Sequence, residues 1–399
     1  MAARTAFQNL AGRLAIAVGA TALSLCAHVA PAAAADPIKV GIVVPLSGAQ
    51  AGSGELVLRG YRLHIDEVNA SGGVAGRKIE LFTEDDRADA TTSTSAVEKL
   101  ISQRGVVAIL GSYGSAPTTT GSDVSERHKI PYIAAHAGEL RLHQRGLRFF
   151  FNIHPGGPPR DVALATFFAE VLKPKSVAGL HSNQAWSIEG MKTLATALKE
   201  KAGVEIRQDE FPANTPDMSG QLTRIKAGKP DLVSLYGLDS DNATFLRQAL
   251  ELGLNPRHIS VLGDVRASKA AAGLNFDTVL MCDDWFVGLP GAENEKYERL
   301  YRTKFPKDTP DRFAVKAYAA AQVLVDALKR ARSIDGQGVR DALSATDIPT
   351  PVGQAKFKED GQRLGTFVVA QYQKGAPVVV YPESARTSDA QLRNWRGFR

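Results

Sequence analysis

The sequence predicts an α/β protein whose parallel sheets are covered by helices on both faces. Short apolar runs alternate with segments of helical period along most of the chain, a pattern typical of βαβ units. In the segment 66–79, a helical stretch ends at Gly72-Gly73 and the apolar start of a strand follows. The length of 399 residues exceeds the usual size of one domain, so two lobes are expected.

The first 35 residues have the pattern of a secretory signal peptide. Two arginines precede an apolar, alanine-rich stretch over 14–30, and small residues follow up to Ala35. We expect cleavage near Ala35 and export from the cytoplasm. Cys26 follows Leu25, whereas lipoprotein processing favours a small residue at that place, so lipidation is not expected.

The composition argues against several classes of protein. The formal charge of +6 falls to +4 when the two arginines of the signal peptide leave, which is too small an excess to indicate nucleic-acid binding. After residue 35 no run approaches the 18 apolar residues that a membrane span needs. Cys282 is then the one remaining cysteine, so an internal disulfide is impossible and stability must come from packing.

The first half of the chain is predicted to form one parallel sheet with its helices. The alternation places strands over 38–45, 78–83 and 106–110, and helices over 55–69, 90–103 and 118–128. Strands that alternate with helices of this length favour a sheet buried on both faces.

The alternation resumes after the proline- and glycine-rich loop 154–159, where a second α/β lobe is predicted. Its strands are expected near 176–180, 204–210, 231–236 and 258–262. The segment 293–345 is mostly helical and has too few strands for a third domain, so we expect it to pack back on the first lobe. Two β-rich runs within 366–381 flank Lys374-Gly375 and predict a hairpin.

Three segments carry a resemblance to a known family. The run from Asp66 to Leu81, the turn 45–48 (PLSG) after the first strand, and the segment 245–254 (FLRQALELGL) resemble the leucine/isoleucine/valine-binding family of periplasmic solute-binding proteins. The likeness continues in order over nearly the whole chain after residue 35.

The resemblance implies a type I periplasmic binding fold, in which two doubly wound parallel-sheet lobes are joined by a three-crossover hinge. A ligand would be buried between the lobes as they close, which agrees with the rule that ligands of open parallel sheets bind beyond the carboxyl ends of the strands. The implied organisation is a signal peptide over 1–35, an N-terminal lobe of 36–153 and 283–363, and a C-terminal lobe of 154–282 and 364–399.

Candidate ligand contacts in the first lobe follow two predicted strands. Ser115 and Thr118 open a helix, where hydroxyls and backbone N–H groups can hold an anion such as a carboxylate. The alternative is that Ser115 only caps its helix and Thr118 lies on the surface. The resemblance favours binding, because Ser115 matches a serine that looks like a carboxylate ligand in relatives.

The next strand end of the first lobe departs from the family pattern. The resemblance places His136 and Gly138 where amino-acid binders carry a small residue and a threonine. The threonine hydroxyl is missing, which weakens the prediction of an amino-acid carboxylate clamp. His136 is expected either to donate to a carboxylate, to stack on a ring, or to be a hydrogen-bonded residue beside the cleft.

Candidate contacts in the second lobe are one aromatic and two acidic residues. Trp186 matches an aromatic that covers the ligand in relatives, and its alternative role is in the core. In amino-acid binders an acidic residue accepts the ammonium group of the ligand, and the resemblance aligns that position with Val265. Asp239 or Asp264 is expected to accept the ammonium group instead. The alternative is that each of these two residues is only a helix cap. Trp285, near the predicted return to the first lobe, is expected to line the cleft or to lock the hinge.

The chemical motifs of enzymes are missing from the sequence. It has no zinc-ligand spacing, nucleophile elbow, Walker loop or G-x-G-x-x-G. We therefore predict a binding protein without catalytic activity, cofactor or metal. The resemblance implies a periplasmic monomer that delivers its ligand to an inner-membrane ABC permease.

The class of ligand stays open at this point. One candidate is a branched-chain or related amino acid, and the other is a non-amino carboxylate such as an aromatic acid. A ligand-sensing receptor or regulator domain of the same fold is a more distant alternative.

Overall fold

The structure is a computed structural model that describes residues 36–48, 50–262 and 276–395. The predicted signal peptide, 1–35, lies outside the described residues, as do Asp264 and Val265. From Pro37 onward the chain forms one compact unit. Within the described ranges, no helix combines the length and the apolar character that crossing a bilayer requires.

The first half of the chain forms a parallel sheet of five strands. These are β1 (Ile38–Val44), β2 (Ile79–Asp85), β3 (Ala108–Leu110), β4 (Tyr132–Ala134) and β5 (Phe150–Asn152), in the order β2-β1-β3-β4-β5. The connecting helices are α1 (Ala51–Ala70), α2 (Ala90–Lys99) and α3 (Ser115–His128). Because β1 lies between β2 and β3, the winding reverses there and leaves a crevice at the carboxyl ends of these strands.

A second sheet begins after the loop that follows β5. Its parallel strands are β6 (Val177–Ser182), β7 (Ile206–Phe211), β8 (Leu232–Tyr236), β9 (His258–Leu262) and β10 (Leu280–Asp283). The helices of this part are α4 (Gly157–Phe167), α5 (Ala185–Ala202), α6 (Ser219–Ala227) and α7 (Asp239–Glu251).

The chain then returns to the first sheet. This segment contains α8 (Ala292–Lys304), α9 (Arg312–Arg330), α10 (Gly336–Ser344) and a small hairpin of β11 (Asp347–Thr350) and β12 (Gly353–Lys356). Tyr297 of α8 and Tyr318 of α9 share one buried core with β1. A Cβ on Gly60 would lie only 2.1 Å from the carbonyl oxygen of Ala314, so glycine allows α1 and α9 to pack backbone against backbone.

The last two strands complete the second sheet. β13 (Val368–Gln373) pairs antiparallel with β10, and β14 (Ala376–Tyr381) pairs antiparallel with β13, giving the order β14-β13-β10-β9-β8-β6-β7. Lys374 and Gly375, with φ of 53° and 82°, form the turn, which confirms the predicted hairpin. The described chain thus passes three times between the part built on the first sheet and the part built on the second.

A buried group of charges lies where the chain leaves and re-enters the second sheet. Lys316 of α9 pairs with Asp283 at the end of β10, and its Nζ lies 2.8 Å from Oδ1 of Asp284. Asp284 also pairs with Arg363, and Asp283 accepts from Nη1 of Arg312 at 2.9 Å. Burial raises the pKa of Asp283, but Lys316 and Arg312 outweigh it and hold the pKa well below its ordinary value. We refer to these five residues as the crossover charge network.

Candidate functional site

A cavity of about 560 Å³ lies between the carboxyl ends of the two sheets. Its first-lobe wall comes from the loops after β1 to β4, and its second-lobe wall comes from the loops after β6, β7 and β8 together with the end of β9. The segment 154–160 after β5 and Arg312 of α9 complete the lining. The size is typical of a pocket for one small organic molecule.

Four of the predicted site residues line this cavity: Ser115, His136, Gly138 and Trp186. Thr118 is fully buried and is not part of the lining, and its hydroxyl donates to the carbonyl of Gly114 at 2.7 Å. Its role as a ligand contact stays a prediction.

The roles of the two predicted acidic residues, Asp239 and Asp264, as ligand contacts stay predictions. Asp239 is the first residue of α7, directly after Leu238, which lines the cavity. Its side chain lies outside what the structure describes, as does the whole of Asp264. Trp285 is not part of the cavity wall. It is buried in the first-lobe core, where its Nε1 donates to Oδ1 of Asn294 at 2.6 Å.

Ser115 occupies the first turn of α3 but does not cap it. The N-cap position belongs to Gly114, whose φ of 97° suits glycine. The Oγ of Ser115 accepts from the backbone N–H of Glu139 at 3.2 Å, so its own proton is available for a ligand. Together with the positive end of the α3 dipole, this hydroxyl favours a negatively charged group in the cavity.

His136 is a neutral imidazole in this environment. Burial, assisted by Lys316, lowers its pKa to about 3. Its Nε2 lies 2.9 Å from the carbonyl oxygen of Phe313, and since a carbonyl can only accept, Nε2 carries the proton and Nδ1 is an acceptor. This geometry favours a hydrogen-bonded residue beside the cleft that offers a ring face or an acceptor, and it disfavours donation to a carboxylate.

This environment predicts a pH dependence of stability. The pKa of His136 lies far below the value of about 6.5 in an unfolded chain. Below pH 6.5 the unfolded state therefore binds a proton that the folded state does not, and the free energy of unfolding should fall as the pH drops toward 3. In ligand-free protein the fall should be shallower in His136→Gln, by up to about 1.4 kcal/mol per pH unit.

Urea denaturation of both proteins between pH 7.5 and 4.5 measures this slope. At pH 7.5 the histidine is neutral in both states, so the difference there reports only the effect of the substitution on packing. Identical slopes in the wild type and the variant would contradict the assignment of a neutral His136.

Trp186 presents an apolar surface to the cavity. It is the second residue of α5 and is half-buried, and its Nε1 donates to Oε1 of Gln184 at 2.8 Å. Because that bond satisfies the one polar atom of the indole, the ring can offer its flat face to an aliphatic or aromatic group.

Two further lining residues, His154 and Arg160, were missed in the sequence. Both belong to the segment 154–160, which indicates a lobe boundary by its prolines and glycines but gives no sign of burial. His154 is 7% exposed and Arg160 is 9% exposed. A histidine and an arginine that end up buried at a cleft are recognised only once the fold is known.

The described lining holds more cationic than anionic side chains. It contains the guanidinium groups of Arg87, Arg160 and Arg312 and one carboxylate, that of Glu139. Buried acids behind the wall offset part of this charge, because Arg160 pairs with Asp161 and Arg312 with Asp283. The groups that face the ligand still favour an anion over a cation.

A ligand cavity between two α/β sheets, connected by three crossings of the chain, defines a two-lobed solute-binding protein. The family model described as periplasmic binding protein matches residues 37–377, and the chain belongs to this family.

The relatives confirm the resemblance identified in the sequence. Leu/Ile/Val-binding protein homolog 7 of Brucella abortus (strain 2308) is 29% identical over 400 residues, which cover 93% of this chain and 98% of the relative. Leu/Ile/Val-binding protein homolog 8 of Brucella melitensis is 29% identical over 408 residues, which cover 93% of this chain and 96% of the relative.

Solved structures confirm the type I periplasmic binding fold. LivJ of Streptococcus pneumoniae, the substrate binding protein of a branched-chain amino acid transporter, in complex with isoleucine, has a TM-score of 0.79 at 23% identity and covers 87% of this chain and 100% of its own. A solute-binding protein of an ABC transporter from R. palustris, in complex with benzoate, has a TM-score of 0.77 at 21% identity and covers 90% of this chain and 99% of its own.

Proposed function

We propose that this protein is the exported, monomeric solute-binding component of an ABC importer. It binds a small carboxylate with a flat apolar body between its lobes and delivers it to an inner-membrane permease. The observation that carries the proposal is a single cavity that combines Ser115 at the start of α3 with Trp186 on the opposite lobe. The pattern of residues 1–35 supports export.

Contacts from both lobes to one ligand explain how closure would report binding. A ligand shifts the population toward the closed form only by the difference of its affinities for the two forms. Ser115 and Trp186 lie on different lobes, so a molecule that touches both gains one of these contacts only on closure. The backbone N–H of Leu140 already donates to Oε2 of Glu189 across the cleft at 3.2 Å.

The described lining favours an aromatic or other non-amino acid as the ligand. An α-amino acid needs an acceptor for its ammonium group, and the one carboxylate in the described lining, that of Glu139, already pairs with Arg141. The benzoate complex of the R. palustris neighbour shows that this fold accommodates such a ligand in another protein.

A branched-chain amino acid is the second candidate. The names of the Brucella relatives and the isoleucine complex of the LivJ neighbour favour it. Asp239, which follows the lining residue Leu238, would supply the ammonium acceptor in that case.

A thermal-shift screen separates the two candidates. Benzoate and related aromatic acids are expected to raise the melting temperature in a concentration-dependent way, because they bind the folded state only. Leucine, isoleucine and valine are expected to give smaller shifts at equal concentration. The neutral benzamide serves as the matched control for the carboxylate. If no carboxylate of either class shifts the transition, the proposal fails.

A further inference from the structure

We infer that Arg160 and His154 complete, together with Ser115, one anion site that holds the ligand carboxylate from both lobes and selects acids without an α-ammonium group. This inference rests on the proposed function, because it specifies the ligand class of the same cavity. It concerns residues that the sequence did not single out.

The residues of this site converge on Gly138. The position that a Cβ would take on Gly138 is 3.5 Å from Cε1 of His154. The residue after Gly138, Glu139, donates its backbone N–H to Oγ of Ser115 at 3.2 Å. Ser115 and His154 are therefore both close to one short backbone segment.

Arg160 reaches the same segment from the second lobe. The backbone N–H of Gly157 donates to the carbonyl of Gly138 at 3.0 Å, which joins the start of α4 to the loop after β4. The position that a Cβ would take on Gly157 is 3.5 Å from Nη2 of Arg160. The three side chains thus share one wall of the cavity.

The guanidinium of Arg160 is held in place and keeps a donor in reserve. Its Nε donates to Oδ1 of Asp161 at 2.7 Å, and Tyr236 donates its hydroxyl to the same oxygen at 3.0 Å. Nη2 lies 2.7 Å from the same oxygen and belongs to the ion pair. Nη2 carries two N–H bonds, of which one faces Asp161, so the other can donate to a carboxylate in the cavity.

Asp161 is fully buried and is not part of the cavity wall, whereas Arg160 lines it. The guanidinium is therefore the nearer group to a ligand, although Asp161, paired with Nη2 at 2.7 Å, offsets part of its charge.

His154 supplies a neutral donor. Its Nδ1 accepts from the backbone N–H of Gly156 at 3.0 Å, so the proton of the neutral ring is on Nε2. Burial keeps the ring neutral, because it lowers the pKa of His154 well below its ordinary value. Nε2–H of His154, Oγ–H of Ser115 and Nη2–H of Arg160 match the several lone pairs that a carboxylate offers.

This arrangement explains selectivity against amino acids. The α-ammonium group of an amino acid is attached next to its carboxylate, so a carboxylate bound at Arg160 would bring the ammonium close to the guanidinium, whose charge Asp161 offsets only in part. An aromatic acid has an apolar ring at that place, which can lie against Trp186 instead. Benzoate and isoleucine are suitable probes of the two classes.

The test replaces both members of the Arg160–Asp161 ion pair by uncharged residues. Arg160→Gln alone would leave Asp161 buried without its partner, so the variant is the double substitution Arg160→Gln with Asp161→Asn. Calorimetric titration should show that the wild type binds benzoate more tightly than benzamide or isoleucine. The double variant should lose at least about tenfold in affinity for benzoate and little for benzamide.

Two further variants sharpen the result. His154→Phe removes the Nε2 donor and should also lower the affinity for benzoate more than the affinity for benzamide. Arg247→Gln is the matched control, because Arg247 pairs with Glu251 on the exposed surface of α7, and it should change neither affinity. If the double variant does not fold, the His154→Phe comparison decides.

The outcomes separate the inference from the proposed function. Undiminished benzoate affinity in both the double variant and His154→Phe overturns the anion site and leaves the proposed function intact. If the wild type binds isoleucine more tightly than benzoate, the inferred selectivity against α-amino acids is wrong. A wild type that binds no carboxylate overturns both.

Discussion

Replacing Lys316 by methionine is expected to lower the free energy of unfolding by about 3–5 kcal/mol. The side chain of Lys316 is completely buried, and it pairs with both Asp283 and Asp284. Methionine has a similar length but no charge, so the two carboxylates would lose the cation between them. Breaking a buried ion pair on one side is costly because the remaining charges stay desolvated.

Urea denaturation at pH 7 measures the effect. Lys304→Met is the matched control, because Lys304 is 60% exposed and lies 3.9 Å from Asp66. Such surface pairs contribute little, so this variant should stay within about 0.5 kcal/mol of the wild type. If Lys316→Met is equally mild, the crossover charge network does not stabilise the fold.

The crossover charge network lies between the two sheets, so a loss of stability in Lys316→Met would report on how the two sheets are held together. Asp283 ends β10 of the second sheet, whereas Lys316 belongs to α9, which packs on the first. Arg363, which pairs with Asp284, donates its Nε to the carbonyl of Ile153, just after β5. The network therefore ties together the three places where the chain passes between the two sheets.

The course of the chain was predictable because its signals are local. The turn at Gly72-Gly73, just after α1 ends at Ala70, and the turn at Lys374-Gly375 both depend on a few neighbouring residues that favour positive φ. The strand Phe150–Asn152 is only three residues long, which is too short for a periodic pattern. Its place in the first sheet is set by pairing with Tyr132–Ala134, which precedes it by 18 residues.

The site was predictable where the family resemblance supplied positions. It pointed to Ser115 and Trp186, and both line the cavity. It could not reveal that Thr118 uses its hydroxyl within its own helix. Arg160 was missed because its importance depends on burial beside Asp161, a property that arises only when α4 packs against the second sheet, where Tyr236 donates to Asp161.

The largest expected effect on affinity is that of Trp186→Ala. Removing the indole takes away the one tryptophan in the described lining and leaves a void that water would fill. Central aromatic contacts of this kind are often worth about 2 kcal/mol or more, so the affinity for benzoate should fall about 30-fold. Calorimetric titration measures the loss.

Two comparisons assign that loss to the flat apolar face of the ring. Trp186→Phe keeps such a face and gives up only the bond to Gln184, so it should stay within about threefold of the wild type, a difference of about 0.6 kcal/mol. Ile188→Ala changes an exposed residue of the same helix that is not part of the cavity wall and should leave the affinity unchanged. If Trp186→Phe lost as much affinity for benzoate as Trp186→Ala, the indole N–H would be the important feature of Trp186. The ligand would then need a hydrogen-bond acceptor at this wall, where an apolar group is now expected.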